Sequence, residues 1–149
     1  MKKAIRLLAT AGGVGYIPYG PGTFGTLWGI PLFYFLHGIS VFPYFAFLIC
    51  FIAAASCICE LASLDFNTID DKRIVLDEVV GYMVALFTFE FTWIYIILSF
   101  VLFRLFDILK PFPIHYVDTK FKSGFGVVLD DVLAGIYANL TLQVISLFL

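Results

Sequence analysis

Charge is scarce in this chain. Lys, Arg, Asp and Glu make up 13% of its 149 residues, while 62% are hydrophobic, and the mean hydropathy is +1.01. A soluble domain carries about 25% charged residues. An ordinary soluble globular protein is therefore excluded in favour of an integral membrane protein. There is no basic run and no aromatic–basic repeat, so the sequence offers nothing to nucleic acid. Cysteine is also scarce: Cys50, Cys57 and Cys59 lie in one apolar stretch and form no disulfide framework. Cys57 and Cys59, followed by Glu60, do not read as a metal site, because positions i and i+2 of a helix do not share a face. No Ser stands in a G-x-S-x-G turn, and no Cys is near the basic residues. These absences remove the common serine hydrolases and the cysteine phosphatases. The two histidines, His37 and His115, are isolated from each other.

What charge there is falls on one side. The nine cations are Lys2, Lys3, Arg6, Lys72, Arg73, Arg104, Lys110, Lys120 and Lys122. The apolar segments between them break at His37-Gly38 and at Glu90, with almost no charge at either break. Five crossings, over residues 26–36, 41–64, 74–89, 91–106 and 127–149, place every charged stretch on the N-terminal side. The excess of Lys and Arg makes that side the cytoplasm. Four crossings would scatter the charged loops over both faces. Residues 74–89 and 91–106 are short for full spans and are expected as a hairpin of tilted helices in a locally thin bilayer. Residues 12–25 are dense in glycine and read as a loop able to approach a ligand closely. Residues 115–126 are amphipathic and are expected at the interface. The basic N-terminus has too short an apolar part for a signal peptide and reads as an interfacial segment at anionic headgroups. The expected fold is all-α: a polytopic membrane helical bundle of about five helices, one domain over 1–149, with a charged site at the cytoplasmic interface.

Three charged clusters flank apolar segments at similar depth. They are Asp77-Glu78 with Gly81 one turn on, Arg104-x-x-Asp107-x-x-Lys110, and Asp130-Asp131 with Ala134-Gly135 one turn on. Steps of three put Arg104, Asp107 and Lys110 on one helical face. Gly81, Ala134 and Gly135 are small enough to let helices approach where the acids sit. A charge at the centre of a membrane helix costs roughly 2.5 to 3.5 kcal/mol, so these residues need a compensating role. Structural salt bridges would supply one. The clusters nevertheless hold more acids than cations, and a hard divalent cation on carboxylate oxygens would balance the surplus. Mg²⁺ commonly sits on a few carboxylates plus substrate phosphate oxygens. Arg104 and Lys110 would then meet the phosphate, Arg as a fork and Lys as a point charge. The residues thus point to a metal-dependent membrane site for a phosphate-bearing substrate, a lipid, and leave hydrolysis and transfer both open.

A resemblance narrows this. Pro21-Gly22-Thr23-Phe24-Gly25-Thr26 resembles the Pro-Gly-Thr-x-Gly-[Ser/Thr] loop of the phosphatidylglycerophosphatase A family. Asp70, Ile74 to Glu78 and Gly81 resemble its second motif. Arg104-x-x-Asp107-x-x-Lys110-Pro111-x-Pro113 resembles the third, and Gly124-x-Gly126 with Asp130-Asp131 and Ala134-Gly135 the fourth. The motifs run in the family's order. Leu76 and Ser123 depart from the pattern but remove no charge. The resemblance implies Mg²⁺-dependent removal of the terminal phosphate from phosphatidylglycerol phosphate, giving phosphatidylglycerol in a bacterial inner membrane.

The resemblance does not itself tell which acid binds metal; the excess of acids at one depth makes Asp77, Glu78, Asp130 and Asp131 the expected metal ligands. Asp107, Asp130, Arg104 and Lys110 are expected in catalysis, and Gly22, Thr23, Gly25 and Thr26 join Arg104 and Lys110 in holding phosphate. Two rival readings differ in prediction. A lipid phosphotransferase of the CDP-alcohol type would carry an Asp-Gly-x-x-Ala-Arg motif, which this chain lacks. A channel or transporter would carry charges through the full depth of its helices.

Overall fold

The computed structural model describes residues 2–68 and 71–149; Asp70 of the second motif lies outside them. Among the described residues the chain is all helix and turn. The helices are α1 (Lys2–Ala9), α2 (Pro21–Leu27), α3 (Gly29–Leu36), α4 (Val41–Phe66), α5 (Leu76–Ala85), α6 (Trp93–Leu109), α7 (Ile114–Lys120) and α8 (Gly124–Ser146), with a 3-10 turn at Val14–Tyr16. The all-α expectation holds. The count differs: the five apolar segments are helical, and α1 and α7 add two more.

The eighth arises because residues 21–36 are divided at Trp28. Pro31 explains the break. Its ring would clash with the carbonyl four residues back, on Leu27, the last residue of α2. Proline is tolerated in the first turn of a helix, and α3 starts at Gly29. The glycine-dense stretch is accordingly not all loop, since Gly22, Thr23, Gly25 and Thr26 lie within α2.

Two helices, α4 with 26 residues and α8 with 23, are long and apolar enough to cross a membrane. At 1.5 Å per residue, α4 reaches about 39 Å, more than the roughly 30 Å hydrocarbon core. Asn67 ends it in the left-handed conformation, at φ 54°, which Asn tolerates. α6 has 17 residues and stops at Lys110, before Pro111 and Pro113.

α5 is the centre of the molecule. It has only ten residues, and all but Glu78 are buried. A helix apolar all round belongs inside other helices, and α5 packs chiefly on α8 and α4. α5 and α6 are neighbours across a short turn, with Tyr82 Oη donating to Ile96 O at 2.8 Å, but α5 packs more on α8 than on α6. The reason is visible in the register. Asp77 faces Asp131, Gly81 faces Gly135 and Ala85 faces Asn139, every pair 54 residues apart. A Cβ on Gly81 would lie 2.6 Å from the Asp131 carbonyl oxygen, and one on Gly135 would strike the Gly81 carbonyl. The two backbones thus touch, and both helices run the same way.

A short buried helix leaves carbonyls without partners at its C-terminal end. Here neighbours supply donors. Tyr44 Oη donates to Met83 O at 3.2 Å, and Asn139 Nδ2 donates to Ala85 O at 3.1 Å and Phe87 O at 2.7 Å. With no water in a hydrocarbon interior, such side chains satisfy the backbone.

The charged residues gather at the other end. Arg6 and Lys2 pair with Asp65, linking α1 to the end of α4. Val75 N donates to Ala9 O at 2.9 Å. Glu60 Oε2, on α4, accepts from Gly124 N at 2.5 Å, and Ser123 Oγ accepts from Gly126 N at 3.2 Å. Ser123 thus serves as the N-cap of α8. The two charge-poor breaks, His37-Gly38 and Glu90, meet at the opposite end, around one cavity with Phe33 and Tyr44.

Candidate active site

The α5–α8 crossing builds the site. Asp77 and Asp131 each lie one turn N-terminal of the glycine at which the helices touch. Close backbone contact therefore brings the two carboxylates together. Glu78 joins them: one oxygen from each of Asp77, Glu78 and Asp131 lies within 4.8 Å of the others. The first turn of a helix favours Asp77 and Glu78 through the macrodipole, and Glu78 N donates to Asp77 Oδ1 at 3.1 Å. Helix dipole alone does not offset three gathered carboxylates. Glu78 Oε2 is buried with no hydrogen-bond partner among the described residues. A group of hard oxygen donors with one orphaned oxygen fits a divalent cation.

Cations stand on either side. Arg104 Nη1, from α6, lies 2.7 Å from Asp107 Oδ2 and 3.8 Å from Glu78 Oε1. Arg104 Nε is buried without a hydrogen-bond partner among the described residues, so this side of the guanidinium still has a donor to offer. Lys110 Nζ lies 2.8 Å from Asp118 Oδ1 and 2.5 Å from Asp130 Oδ2. Burial by itself would lower the Lys110 pKa. Its hydrogen bonds to Asp118 and Asp130, with their charges, outweigh burial and hold the ammonium above its ordinary value.

Asp77, Glu78, Asp107, Lys110, Asp130 and Asp131 all line one polar cleft. Asp130 differs from its neighbour: it lies outside the three-carboxylate group and is engaged by Lys110. Asp118, Lys122 and Phe121 also line the cleft. Asp118 was not among the candidates from sequence, because its segment reads only as amphipathic. The eight-residue step from Lys110 to Asp118 becomes a contact through the turn at Pro111–Pro113.

The α2 residues divide. Gly22 sits directly against the site, where a Cβ would collide with Glu78 Oε1 and lie 3.3 Å from Arg104 Nη1. Thr23 is half-buried in the same turn. Gly25 packs on Val75, where a Cβ would lie 2.5 Å from the Val75 Cβ. Thr26 is buried, and its hydroxyl donates to Gly22 O at 2.8 Å. His37 and His115 are exposed and line no part of the cleft.

Fold and site together define a class: a helical membrane protein with acidic and basic side chains gathered at one end of a glycine-mediated helix crossing. The chain belongs to the phosphatidylglycerophosphatase A family, whose model matches residues 7–146. It is 44% identical over 138 residues to phosphatidylglycerophosphatase A of Haemophilus influenzae, covering 90% of this chain and 83% of that protein. It is 31% identical over 137 residues to phosphatidylglycerophosphatase A of Escherichia coli, covering 91% and 80%. A Bacteroides thetaiotaomicron protein with the provisional description of a phosphatidylinositol-3-phosphatase is 34% identical over 147 residues, covering 93% and 91%. No solved structure matches the chain.

Proposed function

We infer that this protein hydrolyses phosphatidylglycerol phosphate to phosphatidylglycerol and inorganic phosphate at a bacterial cytoplasmic membrane. The observation that carries the reading is the three-carboxylate group of Asp77, Glu78 and Asp131 in one cleft with Lys110 and beside Arg104. Family membership supplies the substrate class. The charge-poor far ends of the helices argue against an ion path through the full depth.

Asp77, Glu78 and Asp131 are the residues that would hold Mg²⁺, with Asp130 beside them. Mg²⁺ bound there would supply Lewis acidity and activate water. The side chains do the rest. Arg104 and Lys110 orient the terminal phosphate and stabilise charge on its oxygens. Asp107 and Asp130 are the carboxylates placed to orient the attacking water and take its proton. The water oxygen bonds to phosphorus, the bond to the glycerol oxygen breaks, and that oxygen leaves with a proton. Gly22 and Thr23 bring the first turn of α2 up to Glu78 and Arg104, and Gly25 and Thr26 hold that turn in place.

The topology we propose is five crossings, by α2–α3, α4, α5 with the turn after it, α6 and α8, with the site facing the cytoplasm. The one-sided cations support it. α5 is short for a span, but its sheath of helices removes the need to meet lipid.

The test is phosphate release from phosphatidylglycerol phosphate by purified protein. Release that requires Mg²⁺ and stops with chelator is expected. Release that survives thorough chelation would refute the metal assignment, and no release under any condition would refute the substrate. External labelling of a cysteine placed at residue 71, on a Cys-free background, would refute the topology.

A further inference from the structure

The three cleft or cleft-side cations are not equivalent. Arg104 is balanced by Asp107 and Glu78, and Lys110 by Asp118 and Asp130. Lys122 also lines the cleft. Its Nζ donates to the Asp118 backbone carbonyl at 2.9 Å, and among the described residues it forms no ion pair. No carboxylate thus occupies its ammonium, which is free to meet an external anion.

Asp118 fixes the spacing of two ammonium groups. Its carboxylate holds Lys110 and its carbonyl holds Lys122. Lys110 is half-buried and Lys122 is exposed, so they stand at different depths of one cleft. The substrate inferred above carries phosphate at two depths as well. Its terminal phosphate is a monoester, which must reach the acids. Its second phosphate is a diester one glycerol unit nearer the acyl chains, and must remain towards the mouth.

We propose that Lys122 binds this internal phosphodiester and thereby sets the preference of the enzyme for lipids with two phosphates. The assignment rests on the phosphatase reading. It gives Lys122 a role in recognition and none in the bond-breaking step.

The test compares two substrates in the same mixed micelles with the full-length protein and Mg²⁺: phosphatidylglycerol phosphate, and phosphatidic acid, which has a single monoester phosphate and no diester. In Lys122→Gln the ratio of kcat/KM for the first over the second should fall about ten- to a hundredfold, the worth of one charge-assisted contact. The fall should come from KM on phosphatidylglycerol phosphate. Lys122→Arg should keep most of the ratio, and Lys122→Glu should lower it further. An unchanged ratio in Lys122→Gln and Lys122→Glu overturns the proposal. Wild-type protein that hydrolyses phosphatidic acid alone overturns the underlying assignment of phosphatidylglycerol phosphate as substrate instead.

Discussion

Lys110 Nζ stands 2.5 Å from Asp130 Oδ2 and so fastens the end of α6 to the second turn of α8. The lysine is the last residue before two prolines, held in the left-handed conformation at φ 41°. Its position owes as much to Asp118 as to Asp130.

That pairing has a consequence for pH. The folded-state pKa of Lys110 is raised, so its contribution to stability is complete below the ordinary value of 10.5 and is lost only as pH rises through the folded value above it. Lys110 should therefore give no alkaline limb in the pH profile of kcat/KM below about 10.5. Profiles of wild type and Lys110→Arg should share the position of any alkaline limb. A limb that moves in the arginine variant would identify Lys110 as the titrating group. Asp118→Asn, which removes one of the two partners, should lower kcat/KM roughly tenfold, the effect of about 1.5 kcal/mol.

The acid cluster can be separated from the phosphate-binding cations. Asp77→Asn and Asp131→Asn replace a carboxylate with a weak ligand for a hard cation. Activity should fall below about a hundredth of wild type, and binding of Mn²⁺ followed by its paramagnetic signal should weaken in parallel. Both variants should remain folded and inserted. Normal Mn²⁺ binding in both would remove these residues from the ligand set.

Arg104 and Asp107 pose a question that only a double-mutant cycle answers. Arg104→Lys keeps charge and loses the fork, so kcat/KM should drop about ten- to a hundredfold with little change in the Mg²⁺ concentration for half activity. If the two residues merely relieve each other's burial, neutralising both should restore most of the activity lost by either alone. Recovery of that kind would exclude them from the chemistry.

The helix crossing should be intolerant of even one methyl. Gly135→Ala drives a Cβ into the Gly81 carbonyl, and overpacking of this type costs about 1 to 3 kcal/mol. Asn139→Leu removes both hydrogen bonds at the end of α5 and leaves the Ala85 and Phe87 carbonyls unpaired. Interhelical hydrogen bonds in membranes average about 0.6 kcal/mol each, so the loss should be near 1 kcal/mol. Thermal inactivation in detergent would rank them, with Gly135→Ala the more severe. Equal stability of Gly135→Ala and wild type would contradict the described contact.

Much of this was legible in the sequence. The acids one turn before Gly81 and Gly135 signalled close helices with carboxylates above the contact, and that is the geometry found. The apolar segments and their breaks were visible because burial in lipid demands continuous hydrophobicity. What was not visible depends on contacts distant in sequence. Glu60 read only as the acid after Cys57 and Cys59, and its role at the N-terminus of α8 needs Gly124, 64 residues away. Asp118 read as one polar residue of an interfacial helix until the Pro111–Pro113 turn folded it back on Lys110. The shortness of α5 was hidden for a different reason. Residues after Ala85 stay apolar, so hydropathy continues although the helix ends, and only Asn139 and Tyr44 reveal where the backbone bonds stop.

The pairing of α5 with α8 also sets a chronology. The two halves of the acid cluster are synthesised far apart in time, Asp77 and Glu78 first and Asp131 only with α8. Until that helix leaves the ribosome, α5 has Tyr44 for Met83 O but lacks Asn139 for Ala85 O and Phe87 O, and lacks the glycine partner that seats its backbone. A chain interrupted before α8 would carry two of the three clustered carboxylates and all nine cations and yet lack the carboxylate that completes the group. The acid cluster is thus assembled only once α8 has been made.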